Sequence, residues 1–293
     1  MRRNQAYFVV FDNPLCYNVL MRKIAADKVR ARLTELIERC LVVPDRAVTH
    51  ALETLNGDEP LAMAAAKLIA ENNRIAEERG AYCCQDTGQA LVSVRLGDEV
   101  YCAGLYAAID GAVRDAYATA RKSVADPLTR INTGDNTPAV IETTLCPGNE
   151  LEISFLAKGA GSENMAKLYM LTPADGRDGI VRAAVDAVKA GGANACPPLV
   201  VGIGIGGLTE TACALSKKAL LRPIGTHNDR ADAAELETEI LEKVNALGIG
   251  IGGFGGKTTA LAVNIELAPT HIGMLPVAVN LQCHSLRHGT VKF

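Results

Sequence analysis

The residues best suited to chemistry are thiols: nine cysteines, Cys16, Cys40, Cys83, Cys84, Cys102, Cys146, Cys196, Cys213 and Cys283, an odd number scattered over 293 residues. That scatter does not suit a small disulfide scaffold, and a free cysteine in a reducing compartment is most often a small buried apolar group. Three of them have neighbours that a core position would not explain. Cys84 opens the polar turn Cys-Gln-Asp-Thr-Gly-Gln. Cys196 precedes Pro197 and Pro198, which remove backbone donors and are expected to hold the chain extended, fixing the direction of the thiol. Cys283 ends an apolar run and is followed by His284, Ser285, Arg287 and His288, a cationic setting that favours thiolate. No close pair of the C-x-x-C kind occurs, so a zinc ribbon is excluded. Three separated thiolates suit an iron-sulfur cluster assembled from distant loops; the competing reading is unrelated buried thiols.

Two glycine-rich segments invite a different chemistry. Gly202-Ile-Gly-Ile-Gly-Gly207 satisfies G-x-G-x-x-G after an expected strand. The next acidic residue at a suitable distance, Asp229, lies in a polar turn and not at the end of a second strand where it could hold a ribose. Close backbone packing is the favoured explanation of those glycines. Gly252 to Thr259 resembles a phosphate loop, but the pattern requires glycine where Ile251 stands. A nucleotide hydrolase is rejected, and Lys257 is kept as an anion-binding candidate beside backbone amides.

Elements that could position these residues follow from periodicity. Residues 1–20 have no helical period and read as an N-terminal extension. Helices are expected over 21–39, 45–55, 59–79, 106–122, 178–190, 209–221 and 231–247, and Gly80 stops the third. Strands are expected over 91–96, 139–144, 151–157, from Leu199 into the glycines, 258–267 and 275–282. No Pro/Ser linker or charge block divides residues 21–293. The expected architecture is therefore α/β (mixed α+β): a single domain with an N-terminal helical part, a mixed sheet, and the cysteine loops at strand ends.

Composition narrows the partners. A net charge of -3, 4% aromatic residues and no Trp exclude a nucleic-acid platform, which needs a basic stripe and rings for stacking. No apolar run reaches the roughly 18 residues of a membrane span, and the first residues do not form a secretory leader. The expectation is a cytoplasmic protein acting on a small molecule, with no nucleic acid and no membrane partner.

Five segments occur in order: Cys-Gln-Asp-Thr-Gly at 84–88, Asn-Thr-Gly-Asp-Asn-Thr-Pro at 132–138, Ala-Lys-Gly-Ala-Gly-Ser at 157–162, Ala-Cys-Pro-Pro at 195–198 and Gly-Gly-Lys-Thr-Thr at 255–259. Together they resemble the class I, iron-sulfur fumarases and tartrate dehydratases, from about Met21 to Phe293. The ending Leu-Pro-Val-Ala-Val-Asn-Leu-Gln-Cys-His-Ser-Leu-Arg-His is more similar to the fumarase alpha subunit than to the tartrate enzyme. The resemblance implies a [4Fe-4S] cluster held by Cys84, Cys196 and Cys283, with one iron lacking a cysteine ligand and free to act as a Lewis acid on the substrate hydroxyl and carboxylate.

The reaction so implied is the reversible hydration of fumarate to L-malate. The proton beside a carboxylate is weakly acidic and hydroxide is a poor leaving group, so general acid/base help of roughly 10²- to 10⁴-fold would not suffice without an electrophile. The resemblance carries substrate binding onto Gln85, Asp86, Arg121 and the backbone around Gly161, and catalytic roles onto Asp86 and His271. Asp86 would orient substrate or relay a proton; by itself it reads as a turn residue bonding its own backbone. Arg121 could grip a carboxylate with two parallel hydrogen bonds, or be a solvated helix face. His271 matches a histidine that, in single-chain relatives, reaches the substrate from the neighbouring protomer. Those relatives carry a second domain that this chain does not have, which implies a separate beta subunit, two alpha and two beta chains, and an active site at their junction. L(+)-tartrate dehydratase and a non-catalytic iron-sulfur sensor are the alternatives.

Overall fold

The computed structural model describes residues 21–293; the expected extension, residues 1–20, lies outside the described residues. In chain order the elements are β1 (Arg22–Lys23), α1 (Ala26–Val42), α2 (Arg46–Glu53), α3 (Pro60–Arg79), β2 (Gln89–Gly97), β3 (Val100–Tyr101), α4 (Leu105–Ala116), β4 (Val140–Cys146), β5 (Leu151–Lys158), α5 (Ala160–Glu163), β6 (Lys167–Leu171), α6 (Gly176–Gly191), β7 (Leu199–Gly206), α7 (Thr209–Ala219), α8 (Ala231–Asn245), β8 (Ala260–Ala268), β9 (Leu275–Gln282) and β10 (His288–Lys292). The mixed α/β expectation holds, but the strands form two four-stranded mixed sheets and a two-stranded one.

The first large sheet has the order β10-β5-β2-β4 and the second β6-β9-β7-β8. In each, two antiparallel pairings are followed by one parallel pairing. Helices α1 and α4 cover the first sheet. The face Val29, Leu33, Leu36, Ile37, Cys40 and Leu41 of α1 repeats every three or four residues and is buried, each large side chain contributing about 1.5–3 kcal/mol by leaving water. Helices α6 and α8 cover the second sheet through Val181, Ala184, Val188, Leu236, Ile240 and Val244. A third apolar cluster takes Leu91 and Leu156 from the first sheet, Val200 and Ala262 from the second, and Val48, Leu52, Ala62 and Ala66 from α2 and α3. The two sheets and the N-terminal helices therefore share buried surface.

Helix boundaries follow local chemistry. Asp45 caps α2 by accepting from Ala47 N at 2.8 Å and Val48 N at 3.3 Å. Pro60 stands at the first turn of α3, and Gly80 at its end is left-handed at φ +60°. Helix α4 stops at Ala116 and not at Lys122 as periodicity suggested: Lys122 Nζ folds back onto the Tyr117 and Ala118 carbonyls and satisfies the frayed end. Met21–Ala25 is not helical, because Arg22 and Lys23 pair with Val100 and Tyr101.

The glycines of 202–207 serve close packing. A Cβ on Gly202 would lie 2.3 Å from the Ser216 carbonyl and one on Gly204 would lie 2.0 Å from the Ala212 carbonyl. Helix α7 thus lies directly on the β7 backbone, where a dinucleotide would otherwise need to enter. At the other glycine segment, Asp58 occupies the anion position: Lys257 N donates to it at 2.7 Å and Thr258 N at 3.1 Å, while Lys257 Nζ donates to the Gly57 carbonyl at 2.9 Å. The expectation that Lys257 binds an external anion is corrected, since its neighbourhood is closed by the chain's own carboxylate.

Candidate active site

Sheet topology explains how three distant cysteines approach one another. Strands β7 and β9 are antiparallel, with Val200 opposite Gln282. The segment entering β7, which holds Cys196, therefore adjoins the segment leaving β9, which holds Cys283, and His284 N donates to the Cys196 carbonyl at 3.2 Å. From Cys283 the chain crosses to the other sheet: Arg287 O accepts from Ala157 N at 2.9 Å, and His288 begins β10 opposite Leu156 of β5. Beside β5 lies β2, with Gln89 opposite Lys158, so the Cys84–Gly88 turn that leads into β2 meets the same crossing.

Cys84 and Cys283 are half-buried and Cys196 is exposed. Burial pushes the Cys283 thiol up to about 11, against the opposing pull of Arg287. Arg287 does favour a thiolate, as the cationic neighbours suggested, but desolvation outweighs it, so Cys283 is a thiol near pH 7. Cys196 is also raised, by burial and then by Cys84 and Asp86, whose charges it feels. Cys196 is left-handed at φ +54°, not extended; a residue before proline is kept out of the right-handed helical region, and here the short helical turn 192–195 ends on it. Cys83, by contrast, is buried with its Sγ 3.5 Å from Ser285 Oγ, and Asn72 Nδ2 donates to its carbonyl at 2.9 Å.

The crossing loop carries unfilled polar capacity. Arg287 is 1% exposed, the largest fully buried side chain described. Its Nε, the Nδ1 of His284 and the Oε1 of Gln282 are buried with no hydrogen-bond partner among the described residues. Burial and then Arg287 hold His284 down to about 4, so its ring is neutral near pH 7. A buried guanidinium is costly unless something negative shares its surroundings. Three thiolates with iron and sulfide form such a group, and the donor set fits. Among the described residues no three His, Cys, Asp or Glu groups close on a single metal ion; cluster ligands bind different irons and stand further apart.

Asp86 is tightly oriented beside this loop. Its Oδ1 accepts from Gly88 N at 2.9 Å and its Oδ2 from Ala160 N at 2.8 Å. A Cβ on Gly159 would sit 3.0 Å from Asp86 Oδ2 and 4.0 Å from Arg287 Nη2, so the glycine leaves room for both charged groups. Gln85 is exposed. Arg121 is exposed too, and its carbonyl accepts from Thr87 Oγ1 at 2.8 Å, next to Asp86. Gly161 lies in the four-residue α5, 3.6 Å by its projected Cβ from the Asn194 carbonyl, just before Cys196. His271 stands apart. It is exposed between β8 and β9, at the end of β9 opposite to Cys283, a strand of eight residues away.

Sequence reasoning missed Lys158, inside the 157–162 segment, and Glu163, which directly follows it. Lys158 Nζ donates to Ser162 Oγ at 2.8 Å and to the Leu281 carbonyl at 2.9 Å, and pairs with Glu163 at 3.2 Å. Burial holds this ammonium down to about 8. Burial alone would raise Glu163, but Lys217 and Lys158 bring it below its ordinary value. These groups line a cavity of ≈ 300 Å³ with Asp86, Ser123, Glu142 and Lys217 on its wall; Gln85, Arg121 and Gly161 are outside that lining. The signal was available: a lysine between two strand-ending small residues has no amphipathic reason to be there.

Residues 30–292 match the family described as Fumarate hydratase (Fumerase). A chain of Methanocaldococcus jannaschii provisionally named L(+)-tartrate dehydratase subunit alpha is 40% identical over 269 residues, covering 87% of this chain and 94% of that one. L(+)-tartrate dehydratase subunit alpha of Escherichia coli (strain UTI89 / UPEC) is 36% identical over 216 residues, 71% of each chain. Its counterpart in Shigella sonnei (strain Ss046) is 35% identical over 215 residues, again 71% of each. The chain belongs to the class I fumarase and tartrate dehydratase alpha-subunit family of hydro-lyases. Among the described residues no helix is long and apolar enough to cross a membrane.

Proposed function

We propose that this chain is the alpha subunit of a hydro-lyase that adds water to, or removes it from, a four-carbon dicarboxylate at a [4Fe-4S] cluster held by Cys84, Cys196 and Cys283. The observation that carries the reading is the crossing loop 283–287, which starts at Cys283, bonds the Cys196 carbonyl through His284 N and buries an arginine with unfilled hydrogen-bonding capacity. When bound, the cluster supplies an electrophile for the substrate hydroxyl through an iron without a cysteine ligand.

The chain's own residues do the rest. Asp86, clamped by two backbone amides, presents a fixed carboxylate edge that orients the substrate hydroxyl or passes a proton. Gln85, Arg121 and the amides near Gly161 hold the substrate carboxylates. Lys158 ties the α5 turn to Leu281, two residues before Cys283, so the glycine turn and the third thiol keep one spacing. His271, remote from the cysteines of its own chain, serves the site of a neighbouring copy. The relatives named above are subunits alpha, which supports a beta subunit as partner, in an α2β2 assembly with the site at the junction. Eight free thiols among the described residues suit a cytoplasmic, reducing setting.

For the substrate, the names of the relatives favour L(+)-tartrate. The family description and the chain's C-terminal motif favour the second reading, fumarate and L-malate. The test is anaerobic co-production of the chain with its beta subunit, followed by parallel assays of L(+)-tartrate, L-malate and fumarate. Fastest turnover of tartrate is expected, with no appreciable turnover by the alpha chain alone. Preference for fumarate would move the assignment to the second reading. A fully loaded complex inert to all three would refute hydro-lyase activity and leave the sensor.

A further inference from the structure

The segment Asn132–Pro138 has no part in the chemistry derived so far. It lies in the long connection between α4 and β4, whose only pairing among the described residues is the bridge between Ala125 and Asn132. Within it Asn136 is 1% exposed and left-handed at φ +62°. Asparagine tolerates that conformation better than most residues, but a buried one must use its amide.

All of its hydrogen bonds go to one short stretch. Its Oδ1 accepts from Ser123 N at 2.5 Å and Val124 N at 3.4 Å, and its Nδ2 donates to the Arg121 carbonyl at 3.0 Å. Thr87, 2% exposed, donates its hydroxyl to the same carbonyl at 2.8 Å and lies 2.8 Å from Ser123 Oγ. The Arg121 carbonyl thus receives two inward-facing donors, one from the segment 132–138 and one from the residue after Asp86. The remainder of the segment anchors Asn136 itself. Asp135 accepts from Thr137 N at 3.0 Å and from Arg114 Nε of α4 at 2.9 Å, while Asn132 Nδ2 reaches the Lys122 carbonyl at 3.0 Å.

Filling both lone pairs of one carbonyl fixes the plane of its peptide and hence the direction in which the Arg121 side chain leaves the backbone. That matters for an arginine because a planar fork grips a carboxylate with two bonds only when its stem is aimed. We infer that Asn136, acting with Thr87, is a positioning residue that aims Arg121 at a substrate carboxylate and ties that arginine to the Asp86 turn. The inference rests on the reading of Arg121 as a substrate ligand. It deepens that reading by giving the 132–138 segment a role in dicarboxylate affinity.

Asn136→Asp keeps an oxygen for Ser123 N and Val124 N but puts an acceptor where the amide donated to the Arg121 carbonyl, turning that contact repulsive. The complex of this chain with its beta subunit, carrying its cluster, is titrated with succinate, a dicarboxylate with no hydroxyl to lose, and assayed for KM and kcat. Asn136→Asp is expected to weaken succinate binding and raise KM roughly 3-fold or more, the weight of one hydrogen bond being the lower bound. The visible absorbance of the cluster per chain stays constant, and kcat stays within about 2-fold. Thr87→Val should behave alike and Thr87→Ser should restore binding, which keeps the test open if Asn136→Asp folds poorly. Arg121→Ala should weaken succinate roughly 10- to 100-fold, and adding Asn136→Asp to it should cost nothing more.

A merely structural asparagine would behave otherwise. Asp126, which accepts from Leu128 N at 3.0 Å and Thr129 N at 2.7 Å in the same connection, supplies the control, and Asp126→Ala should leave succinate affinity unchanged. Equal weakening by Asp126→Ala, or an undiminished Asn136→Asp effect in the Arg121→Ala background, would overturn the positioning role. So would unchanged KM and succinate affinity in Asn136→Asp and Thr87→Val while Arg121→Ala weakens both. Unchanged affinity in Arg121→Ala itself would instead refute the underlying substrate role of Arg121, and the inference with it.

Discussion

In the loop 255–258 the chain completes its own polar groups, with Asp58 accepting from Lys257 N and Thr258 N and the lysine side chain spent on the Gly57 carbonyl. In the loop 283–287 it does not, and the buried Nε of Arg287, Nδ1 of His284 and Oε1 of Gln282 lack partners among the described residues. Both segments look like binding loops in sequence. A ligand site is marked by capacity that the fold leaves unfilled, and not by glycine or charge alone. The β7 glycines make the same point from the packing side, since the volume above them is occupied by α7.

Gly204 is the position most sensitive to substitution. Placing Val there drives its side chain into α7, and a loss of about 3 kcal/mol or more, or no folded chain at all, is expected in thermal unfolding; a well-folded Gly204→Val protein would mean that the space above β7 is open. Next comes Arg287→Met. In metal-free protein this removes a buried charge with an unfilled donor and should leave stability unchanged or raise it by about 1–3 kcal/mol, while the same change lowers iron occupancy after reconstitution. A metal-free chain that is no less stable yet takes up less iron is the signature of an arginine that serves the cluster. Destabilisation of the metal-free chain would show that Arg287 is structural.

Asp58→Asn should behave in the reverse manner, costing about 1–2 kcal/mol in either state and leaving iron uptake untouched. The smallest effect is expected at Asp45, which holds the far side of the crossing loop by accepting from His288 Nε2 at 2.8 Å while capping α2. Burial works against its carboxylate, yet the His288 and backbone hydrogen bonds bring it below the ordinary range. A carboxyl lowered in the folded state contributes stability above its unfolded pKa and loses it as pH falls through the folded one. Asp45→Asn should therefore cost about 1 kcal/mol at neutral pH, and the gap to wild type should close below about pH 4. A gap that persists unchanged at low pH would remove the charge from the explanation.

Much of this was legible in the sequence, for identifiable reasons. Helix α3 reads clearly because Ala62, Ala66 and Ala70 keep one face and Pro60 and Gly80 punctuate it, and β9 was read with its observed ends. Strands β6 and β10 were not, because each has five residues, includes lysine, and stands at a sheet edge where alternation is weak. The cysteine loops were recognisable one by one from their polar neighbours. Their meeting depends on the antiparallel register of β7 with β9 and on the crossing into β10, which are long-range pairings with no local signal. Arg287 was visible only as one of several cations, and its burial is a property of that crossing. Asn136 was visible as part of a motif, but its partners Arg121, Ser123 and Val124 lie 12 or more residues upstream.

Cys84, Cys196 and Cys283 are proposed to hold one cluster. The most direct test of that assignment is anaerobic reconstitution of the chain with iron and sulfide, with iron per chain and visible absorbance measured for wild type, Cys83→Ala, Cys84→Ala, Cys196→Ala and Cys283→Ala. About four irons per chain are expected in wild type and Cys83→Ala, and little or none when any of the other three thiols is removed. Full occupancy in Cys84→Ala together with loss in Cys83→Ala would contradict that assignment.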